Sequence, residues 1–255
     1  MPDQRSEPRP LAPPRPTPGA RLRCAWFWLV TFVAMAVMTT IQVISHRFRP
    51  TPENFKRNIG AWGRIVFRAV GIRLRVIQRA PLRPDQPYVF VANHQNSLDI
   101  MALAAGLPVP FGFVAKAELR KVPFLGAGIR TTAVFLDRGD ARSAARSLRE
   151  AGERIRAGTS VLIFPEGSRS HRRELQAFKK GAFLLAMEAG VPLVPVAILD
   201  AWHLMDEQRA ALRPGTLRLV IGEPIDIAGR RRQDMPAVMD EVAAVLRAEL
   251  ARAHG

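Results

Sequence analysis

The sequence contains a single cysteine, Cys24, among its 255 residues. One thiol cannot form an intramolecular disulfide, and it cannot supply a zinc site that is built on several cysteines. Disulfide-stapled secreted domains and cysteine-based zinc folds are therefore excluded as classes. The composition suits a reducing compartment.

Acidic residues are scarce relative to basic ones: the sequence has 22 Asp and Glu against 38 Lys and Arg, which gives a formal net charge of +16. Lysine is scarce too, and most of the basic residues are arginine. Such an excess suggests nucleic acid, an anionic membrane surface or phosphorylated substrates as partners. The length and the 48% hydrophobic content exclude a disordered chain and allow one α/β domain with an appendage.

Charge is absent from Cys24–Ser45, a run of apolar and uncharged residues. A helix of that length covers about 33 Å, enough to cross a bilayer core of about 30 Å. We predict a membrane-anchoring or transmembrane helix over residues 24–45. A buried core helix and a helix that enters and leaves on one side are the alternatives. Residues 1–23, rich in Pro and Arg, are predicted to be a disordered tail.

Apolar residues recur at helical spacing after this run, with basic residues between them. The pattern predicts a basic amphipathic helix over residues 46–70. Such a helix can pack on the domain, or it can lie at an anionic membrane surface. The apolar positions are Phe55, Ile59, Trp62, Val66 and Val70.

Strand-like and helical segments alternate from residue 71 onward. This alternation predicts an α/β fold with a largely parallel or mixed sheet flanked by helices. Ser97 can cap a helix that runs to about Ala105. The predicted strands are Ile72–Val76, Tyr88–Ala92, Phe111–Ala115, Thr132–Leu136, Val161–Phe164, Leu193–Leu199 and Leu217–Ile221.

The segment "YVFVANHQNSLDI" places a histidine at the end of one predicted strand and an aspartate in the first turn of the next helix. Functional groups of open α/β sheets gather at the carboxyl ends of strands. The loop can fold back so that Asp99 accepts a hydrogen bond from His94, which fixes the tautomer and raises the basicity of the ring. The alternative is a capping aspartate beside an unrelated histidine.

A nucleophile to complete a catalytic triad is missing from the sequence. There is no G-x-S-x-G elbow, the motif that carries the serine of many α/β hydrolases, and Cys24 lies in the predicted anchor. The nucleophile can then be the hydroxyl of the substrate itself. That chemistry suffices if the acyl group arrives activated as a thioester.

Four sequence boxes, in order, resemble those of the glycerolipid acyltransferase family, the 1-acylglycerol-3-phosphate acyltransferases and their relatives. The resemblance covers about residues 50–250 and implies transfer of a fatty acyl group from acyl-CoA or acyl-carrier protein to a lysophospholipid hydroxyl. It implies no metal and no bound cofactor, and it makes residues 71–255 the acyltransferase domain. The boxes are "NHQNSLD", Lys116–Arg138, "FPEGSRS" with Ser168 where Thr is usual, and "VPLVPVAI".

The third box follows a predicted strand, so its loop, with Glu166, Gly167 and Ser168, can lie at the sheet edge beside His94 as an acceptor-site loop. Arginine offers a bidentate fork for phosphate. Arg169 is therefore predicted to bind the acceptor phosphate. Two cations at other strand ends, Arg138 and Lys116, are predicted to help.

Other activities remain open from the sequence alone. The acceptor can be lyso-ornithine lipid, glycerol 3-phosphate or another lysophospholipid, and a thioester hydrolase or a basic nucleic-acid-binding protein are alternatives of other classes. No recognised nucleic-acid motif supports the last. The expected partners are a membrane phospholipid surface, a lysophospholipid and a thioester donor, with the active site at the cytoplasmic face of the inner membrane.

Overall fold

The computed structural model describes residues 16–48, 51–116, 134–136 and 141–252. Two long helices precede a sheet whose strands alternate with shorter helices. The helices are α1 (Pro18–Phe48), α2 (Pro52–Val70), α3 (Leu98–Gly106), α4 (Ala141–Arg156), α5 (Lys180–Ala189), α6 (Ala201–Leu204) and α7 (Met235–Arg252). The strands are β1 (Ile72–Gln78), β2 (Val89–Ala92), β3 (Gly112–Lys116), β4 (Val134–Leu136), β5 (Val161–Ile163), β6 (Leu193–Leu199), β7 (Met205–Asp206), β8 (Ala211–Leu212) and β9 (Gly215–Ile221).

Seven strands form one sheet in the order β1-β9-β6-β2-β5-β3-β4. Neighbouring strands run parallel except β6 and β9, which are antiparallel. The predicted largely parallel, mixed sheet is therefore confirmed. Strands β7 and β8 form a separate antiparallel hairpin that the sequence did not indicate.

Helices cover both faces of the sheet, as a mostly parallel sheet requires. Successive side chains of β2 point to opposite faces, so Phe90 belongs to one core cluster and Val91 to the other. The first cluster packs against α1, α2 and α3, and the second packs against α4, α5 and α7. Strand β2 lies in the middle of the sheet and carries the first sequence box at its carboxyl end.

Helices α1 and α2 form an antiparallel pair. The indole nitrogen of Trp26 lies 3.1 Å from the carbonyl oxygen of Ala69, and near the other end the Asn58 amide donates to Gln42 at 2.7 Å. Helix α1 begins at Pro18, so residues 18–23 are helical although the composition predicted them in the tail. The tail residues 1–15 lie outside the described part of the chain.

Two glycines let α2 approach α3 closely. A Cβ on Gly63 would fall 2.6 Å from the carbonyl oxygen of Met101. The same glycines lower the intrinsic helix propensity of this segment, and here close packing offsets that cost. The helix begins at Pro52 with Thr51 as its N-cap and ends at Val70, followed by the C-cap Gly71 in the left-handed region.

Candidate active site

The loop after β2 is held by the side chain of Asn93, which makes the two hydrogen bonds that a backbone amide in a strand would make. The Asn93 amide donates to the carbonyl of Ile198 at 2.9 Å and accepts from the Ile198 N–H at 2.7 Å. Both groups belong to β6, so Asn93 continues the pairing of the two strands beyond the last residue of β2. The next residue, His94, therefore starts from a fixed backbone position at the carboxyl edge of the sheet.

The structure brings His94 and Asp99 together. The Nδ1 atom of His94 lies 2.8 Å from Oδ2 of Asp99. The same oxygen accepts the backbone N–H groups of Gln95 at 2.5 Å and Asn96 at 2.9 Å. The Asp99 side chain is fully buried, whereas 14% of the His94 side chain is exposed. The carboxylate is thus locked into the loop and the imidazole remains reachable.

Two opposing influences act on the Asp99 carboxyl. Complete burial raises the pKa of Asp99, because desolvation penalises its charged form. The hydrogen bond from His94 and those from the two backbone N–H groups lower it and offset part of the rise. An ionised carboxylate only accepts hydrogen bonds, so it selects the tautomer in which His94 Nδ1 carries the proton.

An aromatic ring fixes the plane of the imidazole. Phe164, the residue that follows β5, stacks on His94 with ring centroids 3.9 Å apart and an interplanar angle of 14°. The sequence analysis assigned Phe164 no role at the site. The Asp99 contact and this stack together leave Nε2 as the ring nitrogen that can face a substrate.

The third box is hydrogen-bonded to the His94 loop along its length. Glu166 is buried, and its carboxylate accepts the backbone N–H of His94 at 2.7 Å and that of Gln176 at 3.0 Å. Ser170 N–H donates to the His94 carbonyl at 2.8 Å. Burial raises the pKa of Glu166 above its usual value. The two loops lie next to each other, as predicted. The buried Glu166 side chain links them through its two backbone contacts.

We expect Glu166→Gln to destabilise the fold. An amide offers one acceptor oxygen where the carboxylate offers two, so one of the two buried N–H groups would face an NH₂ group. Leaving a buried donor unsatisfied costs about 1–3 kcal/mol. Thermal or denaturant unfolding of the purified protein measures the loss. Glu174→Gln, an exposed position in the same loop, is the matched control. Equal stability of the two variants would contradict this role of Glu166.

Glycine is required at position 167 by the backbone conformation and by the proximity of Lys179. Its φ angle is 76°, and a Cβ there would lie 2.6 Å from the ammonium nitrogen of Lys179. The backbone N–H of Lys179 donates to the carbonyl of Pro165 at 2.8 Å, which holds the lysine over the loop. Ser168 is exposed at the next position. The loop thus presents a small, open backbone with a cation above it.

Of the three predicted phosphate ligands, the structure places Arg169 beside the His94 loop. Its guanidinium donates to Glu207 at 2.8 Å and to the Ser97 hydroxyl at 3.2 Å, and 44% of its side chain is exposed. Arg138 lies outside the described residues. Lys116 ends β3, and its side chain is also outside the described part. The joint phosphate site of the three cations therefore stays a prediction.

Glu207 is a site residue that the sequence analysis missed. It follows β7, its side chain is 11% exposed, and its carboxylate accepts the N–H of Ser97 at 3.0 Å and the Ser97 hydroxyl as well as the Arg169 guanidinium. Ser97 is the N-cap residue of α3, as predicted, but its side chain makes no capping hydrogen bond because its hydroxyl donates to Glu207. No local pattern links positions 97 and 207, and only the folded hairpin joins them.

The arrangement supplies a base and a cation on one sheet edge. His94 can take a proton at Nε2, and Arg169 can hold an anion close to the same loop. Within the described ranges, no cluster of three or more His, Cys, Asp or Glu side chains could hold a metal ion.

Comparisons with known proteins identify the family of this chain. The profile of the acyltransferase family matches residues 73–199, which include both His94 and Arg169. The chain is 33% identical to a 1-acyl-sn-glycerol-3-phosphate acyltransferase of Chlamydomonas reinhardtii over 258 residues, covering 96% of this chain and 76% of that protein. It is 32% identical to human 1-acyl-sn-glycerol-3-phosphate acyltransferase beta over 220 residues, covering 86% and 78% of the two chains.

A solved structure has the same fold. The crystal structure of the 1-acyl-sn-glycerophosphate acyltransferase PlsC of Thermotoga maritima superposes with a TM-score of 0.79 at 27% identity, covering 92% of this chain and 95% of that one. The resemblance inferred from the four boxes is thereby confirmed. The chain is an O-acyltransferase and belongs to the acyltransferase family of the 1-acyl-sn-glycerol-3-phosphate acyltransferases.

Proposed function

We propose that the protein transfers a fatty acyl group from an acyl thioester to the free hydroxyl of 1-acylglycerol 3-phosphate, giving phosphatidic acid. The observation that carries the proposal is the 2.8 Å contact of His94 with buried Asp99 at the carboxyl edge of the sheet. The names of the relatives support the acceptor. The thioester is acyl-CoA or acyl-carrier protein, and no acyl-enzyme forms.

In the proposed mechanism, His94 acts as the general base. Its Nε2 atom takes the proton of the acceptor hydroxyl while the hydroxyl oxygen attacks the thioester carbonyl carbon. The C–S bond then breaks, and the His94 imidazolium returns the proton to the departing thiolate. Asp99 holds the ring in the required tautomer and stabilises its charged form. The products are an ester and a free thiol.

Arg169 provides the proposed phosphate contact of the acceptor. Its guanidinium is partly exposed and already oriented by Glu207 and Ser97, so little side-chain freedom is lost when an anion binds. A planar guanidinium has five N–H donors, which lets it keep the Glu207 contact while it binds phosphate oxygens. Lys179, above Gly167, can add a second positive charge.

An acceptor panel tests the proposed reaction. Purified protein is assayed with acyl-CoA and with acyl-carrier protein against 1-acylglycerol 3-phosphate, glycerol 3-phosphate, lyso-ornithine lipid and lysophosphatidylcholine. We expect 1-acylglycerol 3-phosphate to give the highest kcat/KM. A higher kcat/KM for another acceptor would reassign the substrate. Thioester hydrolysis that is equally fast without any acceptor would identify a hydrolase instead.

Helix α1 supports a location at the membrane. It is long and apolar enough to cross a bilayer by length and composition, and little of its apolar window is buried. Its buried positions face α2 and the domain, whereas its large apolar side chains form an exposed stripe on the other side. The exposed stripe comprises Leu22, Trp26, Leu29, Phe32, Val33, Val37, Ile41, Val43 and Ile44, and the indole of Trp26 also contacts α2.

The packing of α1 favours a helix that lies in the membrane surface over one that crosses the bilayer. Contacts to α2 run from Trp26 to Gln42, about 24 Å along the axis. Phe27 and Cys24 are buried in the core of the catalytic domain. A helix that is packed on the domain along this length cannot separate from it to cross the bilayer. We place the domain on the cytoplasmic face, where water-soluble thioester donors are available.

We expect α1 to attach the protein to membranes in a salt-resistant way. Full-length protein should stay with membranes at about 1 M salt, where the Debye length is about 3 Å, because burial of apolar surface is not screened. Replacing Leu29, Val33 and Val37 together by Gln should release it into the soluble fraction. Sedimentation after salt washing measures both results.

Polar substitutions that leave the stripe intact provide the control. Ala25→Gln with Thr40→Gln places two amides, against three in the test variant, on exposed positions of α1 but removes no large apolar side chain. This variant should remain membrane-bound. If the unaltered protein is mainly soluble after lysis, the surface location is wrong.

A further inference from the structure

A second concave site lies at the far end of α3 from His94. Helix α3 begins beside the active-site loop and ends at Gly106, about 13 Å further along its axis. Beyond this end, a cavity of about 450 Å³ lies between α2 and the segment 104–110. We call it the α2–α3 cavity. None of the site residues named above lines it.

Cations dominate the wall that α2 contributes. Lys56, Arg57 and Arg64 line the cavity, and Glu53 is the single carboxylate among the lining residues that the structure describes. The other side of the cavity is apolar, formed by alanine, leucine, valine and proline side chains of the segment 104–110. A cationic wall facing an apolar floor suits a ligand with one anionic end and one apolar part.

The positive charge of the cavity is only partly neutralised by the protein, because one carboxylate stands against three cations among the described lining residues. The Lys56 ammonium donates to the carbonyl of Pro108, a neutral acceptor. Burial lowers the pKa of Lys56, and the charge of Glu53 opposes that shift. Arg57 and Arg64 make no ion pair within 4.0 Å in the described part of the chain. An excess of cations over carboxylates favours the binding of an anion.

The position of the cavity selects the source of the anion. Arg57 and Arg64 are exposed on α2, and Ile65 beside them is 40% exposed. Helix α2 packs along α1, whose exposed apolar stripe we place in the bilayer. With α1 in this proposed position, the exposed arginines of the adjacent α2 are available to the phosphate of an anionic lipid headgroup.

We propose that the α2–α3 cavity binds the phosphate headgroup of an anionic membrane phospholipid, separately from the acceptor at the active site. Lys56 and the two arginines contact the phosphate oxygens, and the glycerol and first methylene groups lie against the apolar floor. The orientation of this lipid rests on the proposed membrane-surface location. The phosphate site itself does not depend on it.

Lipid titration of detergent-purified full-length protein tests the site. Phosphatidylglycerol is added in nonionic detergent, with phosphatidylcholine as the neutral reference, and native mass spectrometry counts the bound lipid. We expect one tightly bound phosphatidylglycerol. Arg57→Gln with Arg64→Gln should weaken it by about tenfold or more, because each basic residue contributes to anionic-lipid binding. Lys56→Ala should weaken it as well.

A charge-matched variant separates a defined site from diffuse attraction. Arg73→Gln with Arg75→Gln removes the same charge from exposed positions of β1 and should leave the affinity within about twofold. Loss of affinity that is equal in both double variants would overturn the proposal. Equal binding of phosphatidylcholine would do so too.

Two further experiments identify the bound ligand and show which site holds it. The bound lipid should persist in an Arg169→Ala background, and its loss there would assign it to the active site instead. Displacement by CoA would make the cavity part of the donor site, and displacement by inorganic phosphate at the same concentration would show that the lipid part is not recognised. Either displacement contradicts a phospholipid site. Failure of the acceptor panel would leave all of these results unaffected.

Discussion

His94→Ala is expected to lose nearly all acyl transfer, a fall in kcat of about 10²–10⁴-fold, the range that a general base contributes. The variant lacks the imidazole that buried Asp99 holds at the carboxyl edge of the sheet. Thioester consumption and ester formation measured with 1-acylglycerol 3-phosphate give kcat directly. The KM of the acceptor should change little, because the proposed phosphate contact of Arg169 is unaltered.

Folding must be separated from chemistry in this experiment. The His94→Ala protein should unfold at nearly the same temperature as the unaltered protein and remain on membranes. Asp99→Asn is the companion variant, because an amide neither selects the Nδ1–H tautomer nor stabilises the imidazolium, and the equivalent change in a serine protease costs about 10⁴-fold. A His94→Ala protein that keeps more than about a tenth of the rate would rule out the mechanism.

Removal of the Arg169 fork is expected to raise the acceptor KM by about 10- to 100-fold, since a hydrogen bond to a charged group contributes about 1.5–3 kcal/mol. Arg169→Ala removes the charge, and Arg169→Lys keeps the charge but loses the planar pair of donors. Both should leave the KM of the thioester donor nearly unchanged. Steady-state kinetics with each substrate varied in turn separates the two effects.

Arg172→Lys is the matched control, because Arg172 is an exposed arginine of the same loop. It should leave both KM values as they are. If the acceptor KM is the same in Arg169→Lys, Arg169→Ala and the unaltered protein, then Arg169 does not contact the acceptor, and its ion pair with Glu207 is only a structural contact.

The fold class and the contact between His94 and Asp99 were accessible from the sequence because both are encoded locally. Strand β2 is four buried residues in a row, and His94 and Asp99 are five positions apart on one loop. Strand direction was not accessible in the same way. Strand β9 runs antiparallel to β6, but a strand buried on both faces has the same apolar pattern in either direction.

The partners of the active-site residues were beyond sequence analysis because they are distant in the chain. Glu207 meets Ser97 and Arg169 through a hairpin whose strands have two residues each, too short to produce an alternating pattern. The sequence pattern predicts Phe164 as the end of a strand, but it does not predict that the ring stacks on His94. The start of α1 was predicted too late, since the absence of charge marks the apolar part of a helix and not its first turn.

The position of β1 at the edge of the sheet bears on how the protein is made. Its neighbour in the sheet is β9, and Ile72 pairs with Gly215, so translation of the intervening segment takes about 7–30 s at 5–20 residues per second. Helices α1 and α2 have left the ribosome by then, whereas the sheet cannot close. At the proposed membrane surface, the two helices can therefore meet lipid before the sheet closes around the loop that carries His94 and Asp99.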